Sequence, residues 1–407
     1  MIISISSYLW AFTTFLLIIT CIFFLFYFNF TSIKLLKNVK SLNKESLKIL
    51  NISLAGKIGV GSISGIAFSI IVGGKGTIIW IWLSTFLLSI ITYLETKVGV
   101  VYRNNYIGGS FIYIKNVLNK KILSTIYILL LIFTFLFSFV LIQSNTIIVS
   151  ISNTFFLNKK LILIFLIICI FFSIKNGIKR ISSIVSVLVP IMSALYIVIG
   201  IIVIINNYYK LPTIIIDIIK DSISYKSLLS IPFIIGFQRA VFSNESGMGT
   251  TSLVVALSKN NDYEKEYFFQ AIGLFFISLV ICTISALIVL TSDYEILNIN
   301  NINGIEIINY AFNYHFGNYG SFISSIIISL FAFSTIITSY YYGSISIKYL
   351  FNNKKNTIIE IIVIIILVLS AFISPVDIWA IVDISTALLT IINIYSLIKI
   401  RKVIKER

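Results

Sequence analysis

Ionisable side chains are scarce in this sequence, and several stand where none is expected. Glu95, Arg239, Glu245 and Asp383 fall within apolar stretches, as do Lys57 and Lys97. Charge at membrane depth is costly, so such groups either pair with one another or serve a function. Arg239 and Glu245 stand in "GFQRAVFSNESGMG", Gly236–Gly249, whose flanks "SLLSIPFII" and "TTSLVVALS" are hydrophobic. A second stretch, "LAGKIGVGSISGIAFSIIVGG", sets Gly56, Gly59, Gly61 and Gly65 around Lys57, Ser62 and Ser64. Glycines so spaced suit a close helix-packing face. They also suit a break in a helix, which is tolerated in a bilayer only where protein or a cavity receives the freed N–H and C=O groups. At such a break a half-helix N-terminus favours an anion, and unwound carbonyls favour a cation.

The elements that must hold these residues are membrane spans. With 58% hydrophobic and 11% charged residues and a mean hydropathy of +1.03, the chain reads as an all-α polytopic membrane protein. Apolar runs long enough to cross lie near 8–30, 52–73, 77–101, 122–148, 161–174, 183–206, 228–257, 268–292, 321–345, 357–373 and 377–398. That makes about eleven transmembrane helices, the fifth short. The two interrupted stretches are the second and seventh, five spans apart. Five is odd, so two five-span units would run oppositely through the membrane, the inverted repeat with discontinuous helices of a secondary transporter. The expected division is 1–50, a peripheral first helix and basic loop; 51–206, the first repeat; 207–400, the second; and 401–407, a basic tail.

The net charge of +16 reports topology and not nucleic-acid binding. With the N-terminus outside, inward loops and the C-terminal tail hold 22 Lys and Arg, outward loops hold 6, and 3 lie within spans. Cations concentrate on cytoplasmic loops, so the C-terminus is expected inside and the chain in the plasma membrane. The run Tyr8–Phe30 has no preceding Lys or Arg and no small-residue cleavage site, which reads as a retained span. Cys21, Cys169 and Cys282 are scattered through apolar runs, as packing residues are. His315, the single histidine, is expected in an outward loop. No nucleotide-binding loop, zinc-protease helix or nucleophile elbow occurs, so neither an ATP-driven pump nor an enzyme is indicated.

"GFQRAVFSNESGMGTTS" resembles the signature of the alanine/glycine:cation symporter family, the sodium:alanine symporters, a branch of the amino acid–polyamine–cation superfamily. "GKIGVGSISGIAFSIIVGGKG", "YLETKVGVVYR", "GGSFIYI", "QSNT", "NGIKRISSIVSVLVPIMSALYI", "FAFSTIITSYYYG" and "IVDISTALLTIIN" are similar to other segments of the family, in order. The resemblance implies a leucine-transporter-like fold and a sodium-coupled import of a small neutral amino acid by alternating access, with no cofactor beyond the coupling ion. It implies that the amides at Val60 and Gly61 meet the substrate carboxylate, that Gln143 lies beside it, and that Phe242 closes over it. Ser246 and Gly247 would form the floor, with Ser339 near the side chain. Ser334 and Thr335 would bind sodium with the carbonyls of Ala55 and Ile58. Gly59, Arg239, Asn244, Glu245 and Gly249 would shape or brace the breaks.

Each residue also has a plainer reading. Gln143 could serve as an interhelical hydrogen bond, Phe242 as packing, and the hydroxyls as partners of their own helices. For Arg239, Glu245, Glu95 and Asp383, pairing that holds the unwound segments fits better than substrate contact. The chain departs from the family at Val60 and Ser62, where the family has threonine and asparagine. It departs at Ile277, an aspartate there, at Ser339, a tryptophan, and at Ser344, a glutamate. Ser339 and Val60 leave a larger neutral amino acid or proton coupling as an alternative, and the number of substitutions leaves a non-transporting sensor or decayed relative as another.

Overall fold

The computed structural model describes residues 2–37, 43–104, 106–223, 231–296, 304–351 and 356–406. Among them the chain is helical throughout, without strands; its single bridge pairs Asn104 with Ile107. In chain order the helices used below are α1 (Ile2–Tyr27), α2 (Lys44–Lys57), α3 (Val60–Gly73), α4 (Thr77–Val101) and α5 (Lys121–Phe155). There follow α6 (Lys159–Ile174), α7 (Ile178–Asn206), α8 (Leu211–Ile223), α9 (Ile231–Asn244) and α10 (Thr250–Val255). The last are α11 (Tyr263–Leu290), α12 (Gly304–Phe316), α13 (Gly320–Leu350), α14 (Asn356–Ser370) and α15 (Pro375–Glu406).

Polar residues begin these helices and apolar residues fill them. Asn43 accepts from the Glu45 amide, Asn158 from Lys160, and Asp262 from Glu264 and Lys265, so each side chain satisfies amides that the first turn leaves free. Pro375 opens α15 behind Ser374, whose hydroxyl accepts from the Asp377 amide. Inside the spans, hydroxyls turn back on their own helices, as Thr85 does on Ile81 and Thr386 on Val382.

Among the described residues seven helical runs are long and apolar enough to cross a membrane, or eight if the bent pair α2–α3 counts as one. Eleven were expected. α6 and α14 have 16 and 15 residues, and the seventh span is divided into α9 and α10. The second span begins at Lys44, inside the stretch expected as loop, because Lys44, Glu45 and Lys48 hide its start from hydropathy. His315, expected in a loop, ends helix α12, whose Ile305, Ile308, Ala311 and Phe312 form a buried stripe. Its Nε2 lies 3.0 Å from the Ile288 carbonyl. Cys21 and Cys282 are buried and Cys169 partly so, all as free thiols. The molecule is a bundle in which two broken helices meet near the centre.

Candidate functional site

The break in the second span bends α3 from α2 by 42°. Gly59 is extended, and its amide turns back to the Lys57 carbonyl, so the Ala55 carbonyl loses its usual partner four residues on. The Ser62 amide likewise goes to Gly59, which frees the carbonyl of Ile58. Side chains of α13 meet both. Thr335 Oγ1 donates to Ala55 O at 3.0 Å and lies 3.4 Å from Ile58 O, and Ser334 Oγ lies 3.3 Å from Ala55 O. The four residues expected around sodium therefore converge, and their oxygens suit a small hard cation. Both hydroxyls also reach Phe331 O, the helix-internal bond anticipated as the plainer reading.

On the other side of the break, α3 starts with free amides. Val60 N–H donates to Gln143 Oε1 at 3.1 Å, so the carboxamide of α5 occupies the acceptor place at this half-helix end. A Cβ on Gly59 would lie 2.6 Å from Thr335 Oγ1 and 2.9 Å from Gln143 Nε2; only glycine lets the two approach. At Gly61 the Phe242 ring presses on the backbone, and a Cβ would sit 2.1 Å from it. Val60, Gly61, Gln143 and Phe242 thus lie together at this half-helix end. Phe242 is stacked on Phe139 at 5.1 Å and tilted against Trp379 at 5.4 Å. Phe139 ends a π-helical turn, Phe133–Phe139, a local widening frequent at functional sites.

The seventh span breaks through left-handed backbone at Glu245, Gly247 and Gly249, with φ of 50°, 98° and 85°. Glu95 Oε1 accepts from the Gly247 and Gly249 amides, each at 3.0 Å, and from Asn393 Nδ2 at 2.8 Å. Asn393 Nδ2 also donates to the Gly247 carbonyl, and the Tyr127 hydroxyl donates to the Met248 carbonyl. The unwound segment is held by α4, α5 and α15. Lys97, two residues beyond Glu95, faces the Tyr263 ring at 4.8 Å.

The floor expected from Ser246 and Gly247 is not built beside Gly61. The Ser246 hydroxyl turns to Thr92 Oγ1 at 2.9 Å and to Leu88 O, both on α4. A Cβ on Gly247 would face Thr390 and Leu17. Asn244 Nδ2 donates to Ser278. Arg239 pairs with Asp383 at 3.6 Å and stacks on Trp379 at 4.8 Å. Glu245 is fully buried; its Oε1 and the Tyr342 hydroxyl converge beside Gly56, 3.3 and 2.9 Å from where a Cβ would stand. Ser339 is buried one turn beyond Thr335, its hydroxyl without a protein partner among the described residues.

Sequence reasoning missed Asn393, Phe139, Trp379 and Glu266. Polar residues fasten both ends of the broken helices. At the Lys44 end, Glu266 accepts from Ser46 and Ser258, Glu45 accepts from the Lys259 amide, and Arg103 donates to Ser258 O and Asn261 Oδ1. At the Gly74 end, Lys75 meets Asp217 at 3.1 Å and Glu295 at 3.2 Å, and Asp221 accepts from the Gly76 amide. Burial works against the Lys75 charge, yet these two hydrogen bonds outweigh it and hold its pKa above the ordinary lysine value. Gly304, the first residue of α12, packs on the Ser64 backbone of α3.

The sequence and fold have recognisable relatives. The "Sodium:alanine symporter family" model matches residues 1–407. The amino-acid carrier protein AlsT of Bacillus subtilis is 28% identical, with 96% of this chain and 87% of that protein covered. The probable sodium/glutamine symporter GlnT of the same organism is 29% identical, covering 94% and 84%. The sodium/proton-dependent alanine carrier protein of Bacillus sp. PS3 is 27% identical, covering 76% and 74%. The solved structure of MhsT with L-phenylalanine superposes with a TM-score of 0.66 at 14% identity, covering 89% of this chain and 90% of that one. Such a likeness carries the fold, a leucine-transporter-like helical bundle, and the family carries the class: a multi-pass membrane transporter and not an enzyme. The chain belongs to the sodium:alanine symporter family.

Proposed function

We propose that the protein imports a small neutral amino acid, such as alanine or glycine, together with sodium by alternating access. One observation carries this reading. The freed carbonyls of Ala55 and Ile58 face the hydroxyls of Ser334 and Thr335, immediately beside the α3 N-terminus where Val60 N–H meets Gln143. A cation place and an anion place a few residues apart match a zwitterion travelling with a coupling ion. The substrate carboxylate would take the acceptor place that the Gln143 oxygen holds here, with Phe242 against its side chain. Opening of one face would release the fastenings at Ser46, Ser258 and Lys259, and opening of the other those at Lys75 and Gly304. The two broken helices are the pieces best placed to move, in two five-span repeats. The N-terminus would lie outside and the C-terminus in the cytoplasm. Arg239, Glu245 and Asp383 brace the breaks and do not touch substrate.

Sodium-gradient-driven uptake of labelled alanine into proteoliposomes tests the reading. Uptake driven by a proton gradient and indifferent to sodium removes the ion assignment. Binding without accumulation under any gradient makes the protein a sensor. Ser339 favours a second reading, a larger neutral amino acid, since a serine stands where the family has a tryptophan; competition by leucine or glutamine against alanine decides it.

A further inference from the structure

We propose that Trp379 sets the largest side chain this protein carries, acting through Phe242; the inference rests on the substrate place assigned above. A solute whose carboxylate reaches the Val60 and Gly61 amides must place its Cα substituent against the ring that covers Gly61. That ring is Phe242, and a Cβ on Gly61 would already stand 2.1 Å from it. The ring thus already touches the α3 backbone, and a bulky solute side chain placed there needs Phe242 to yield. Two rings limit how far it can. Phe139 is backed by Phe135 at 4.7 Å, and Phe135 by Tyr342 at 5.0 Å, an unbroken buried row with no room behind it. Trp379, in contrast, is only partly buried.

What keeps Trp379 in place is charge. The Arg239 guanidinium lies 4.8 Å from its ring centre, and Asp383 holds that guanidinium at 3.6 Å. Trp10 Nε1 donates to the Asp383 carbonyl at 2.9 Å and ties α15 to α1. Gly65, one turn beyond Gly61 on α3, faces the Trp379 ring, with a Cβ there 3.4 Å from it. Gly61 and Gly65 thus seat two successive rings on one face of the half-helix. Size selection in this scheme rests on the second ring, on α15. Trp379 is a positioning residue in this scheme, since Phe242 and not Trp379 meets the solute.

The test compares leucine with alanine as competitors of labelled alanine uptake by the full chain in proteoliposomes. Trp379→Ala should raise the leucine-to-alanine preference by about tenfold, the scale of one or two methylenes in an apolar pocket. Trp379→Phe should restore the wild-type ratio to within about twofold, since a ring again backs Phe242. Asp383→Asn, which frees Arg239, should move the ratio in the same direction as Trp379→Ala and by less. If the wild type accumulates no alanine, the transport reading fails separately. The same ratio is then read as thermal stabilisation of the purified protein by each amino acid. A ratio unchanged in a folded Trp379→Ala overturns the proposal. Where that variant does not fold, a ratio unchanged in Asp383→Asn overturns it.

Discussion

Glu95 and Asn393, 298 residues apart in sequence, meet at 2.8 Å and between them hold both backbone polar groups of Gly247. One carboxylate oxygen takes the Gly247 and Gly249 amides, and one carboxamide takes the carbonyl. The pair does for the seventh span what water would do outside a membrane. Glu95→Ala leaves two amides and the Asn393 carboxamide buried without that acceptor, each a cost of about 1–3 kcal/mol. We expect a marked fall in melting temperature of the purified protein and loss of uptake. Glu95→Gln, which keeps one oxygen, should lie between. An alanine variant that melts with the wild type would sink this account of the break.

Sodium dependence is the second test. Thr335 Oγ1 touches two carbonyls freed by the break, whereas Ser334 Oγ lies within reach of one. Thr335→Val keeps the shape and removes the oxygen. The sodium concentration for half-maximal uptake should rise by about tenfold, the equivalent of about 1.4 kcal/mol of ion binding, while Ser334→Ala has a smaller effect. An unaltered sodium response in Thr335→Val moves the ion elsewhere.

The expected pattern at Gly61 is coupling. Adding one methyl group at Gly61 forces the Phe242 ring back against Phe139 and Trp379. Overpacking of this kind costs about 1–3 kcal/mol, and Gly61→Ala should depress uptake with little loss of expression. Phe242→Ala supplies the missing space, so the double variant should be less impaired than the sum of the two single effects. Strict additivity in uptake would separate the two residues.

These residues also show what sequence can and cannot reveal. Both breaks were legible because glycine and charge interrupt apolar runs, a local property. The meeting of Ala55 and Ile58 with Ser334 and Thr335, and of Val60 with Gln143, was legible through the family resemblance, since these residues stand at motif positions. The orientation of Ser246 and Gly247 was not. The backbone has positive φ at three of the five residues from Glu245 to Gly249, a conformation that sequence alone does not give, and the Ser246 hydroxyl meets Thr92. Asn393 was hidden because an asparagine in an Asn-rich chain carries no signal until its partner, far away in sequence, is brought to it. Trp379 and Phe139 were hidden for a related reason: in an aromatic-rich chain only contact tells which rings matter. The pairing of Arg239 was foreseen as a type, and Asp383 is its partner.

Glu266 gives the last prediction. Its carboxylate is buried, and one oxygen accepts from Ser46 at the start of α2 and from Ser258 after α10. A single side chain on α11 thus ties together the ends of both broken spans. Nearby, Glu45 accepts from the Lys259 amide, a second and direct link between the two. Hydrogen bonds to a carboxylate contribute about 1.5–3 kcal/mol each, so removing two of them is enough to shift an equilibrium between closed and open faces. Glu266→Ala should favour opening at the Lys44 end. A cysteine placed at Ser53, whose hydroxyl bonds to Gln270 in the closed arrangement, should then react faster with a water-soluble thiol reagent supplied from that side. Uptake should fall even where amino-acid binding persists, because a face held open no longer alternates. Labelling at the wild-type rate would show that Glu266 only packs.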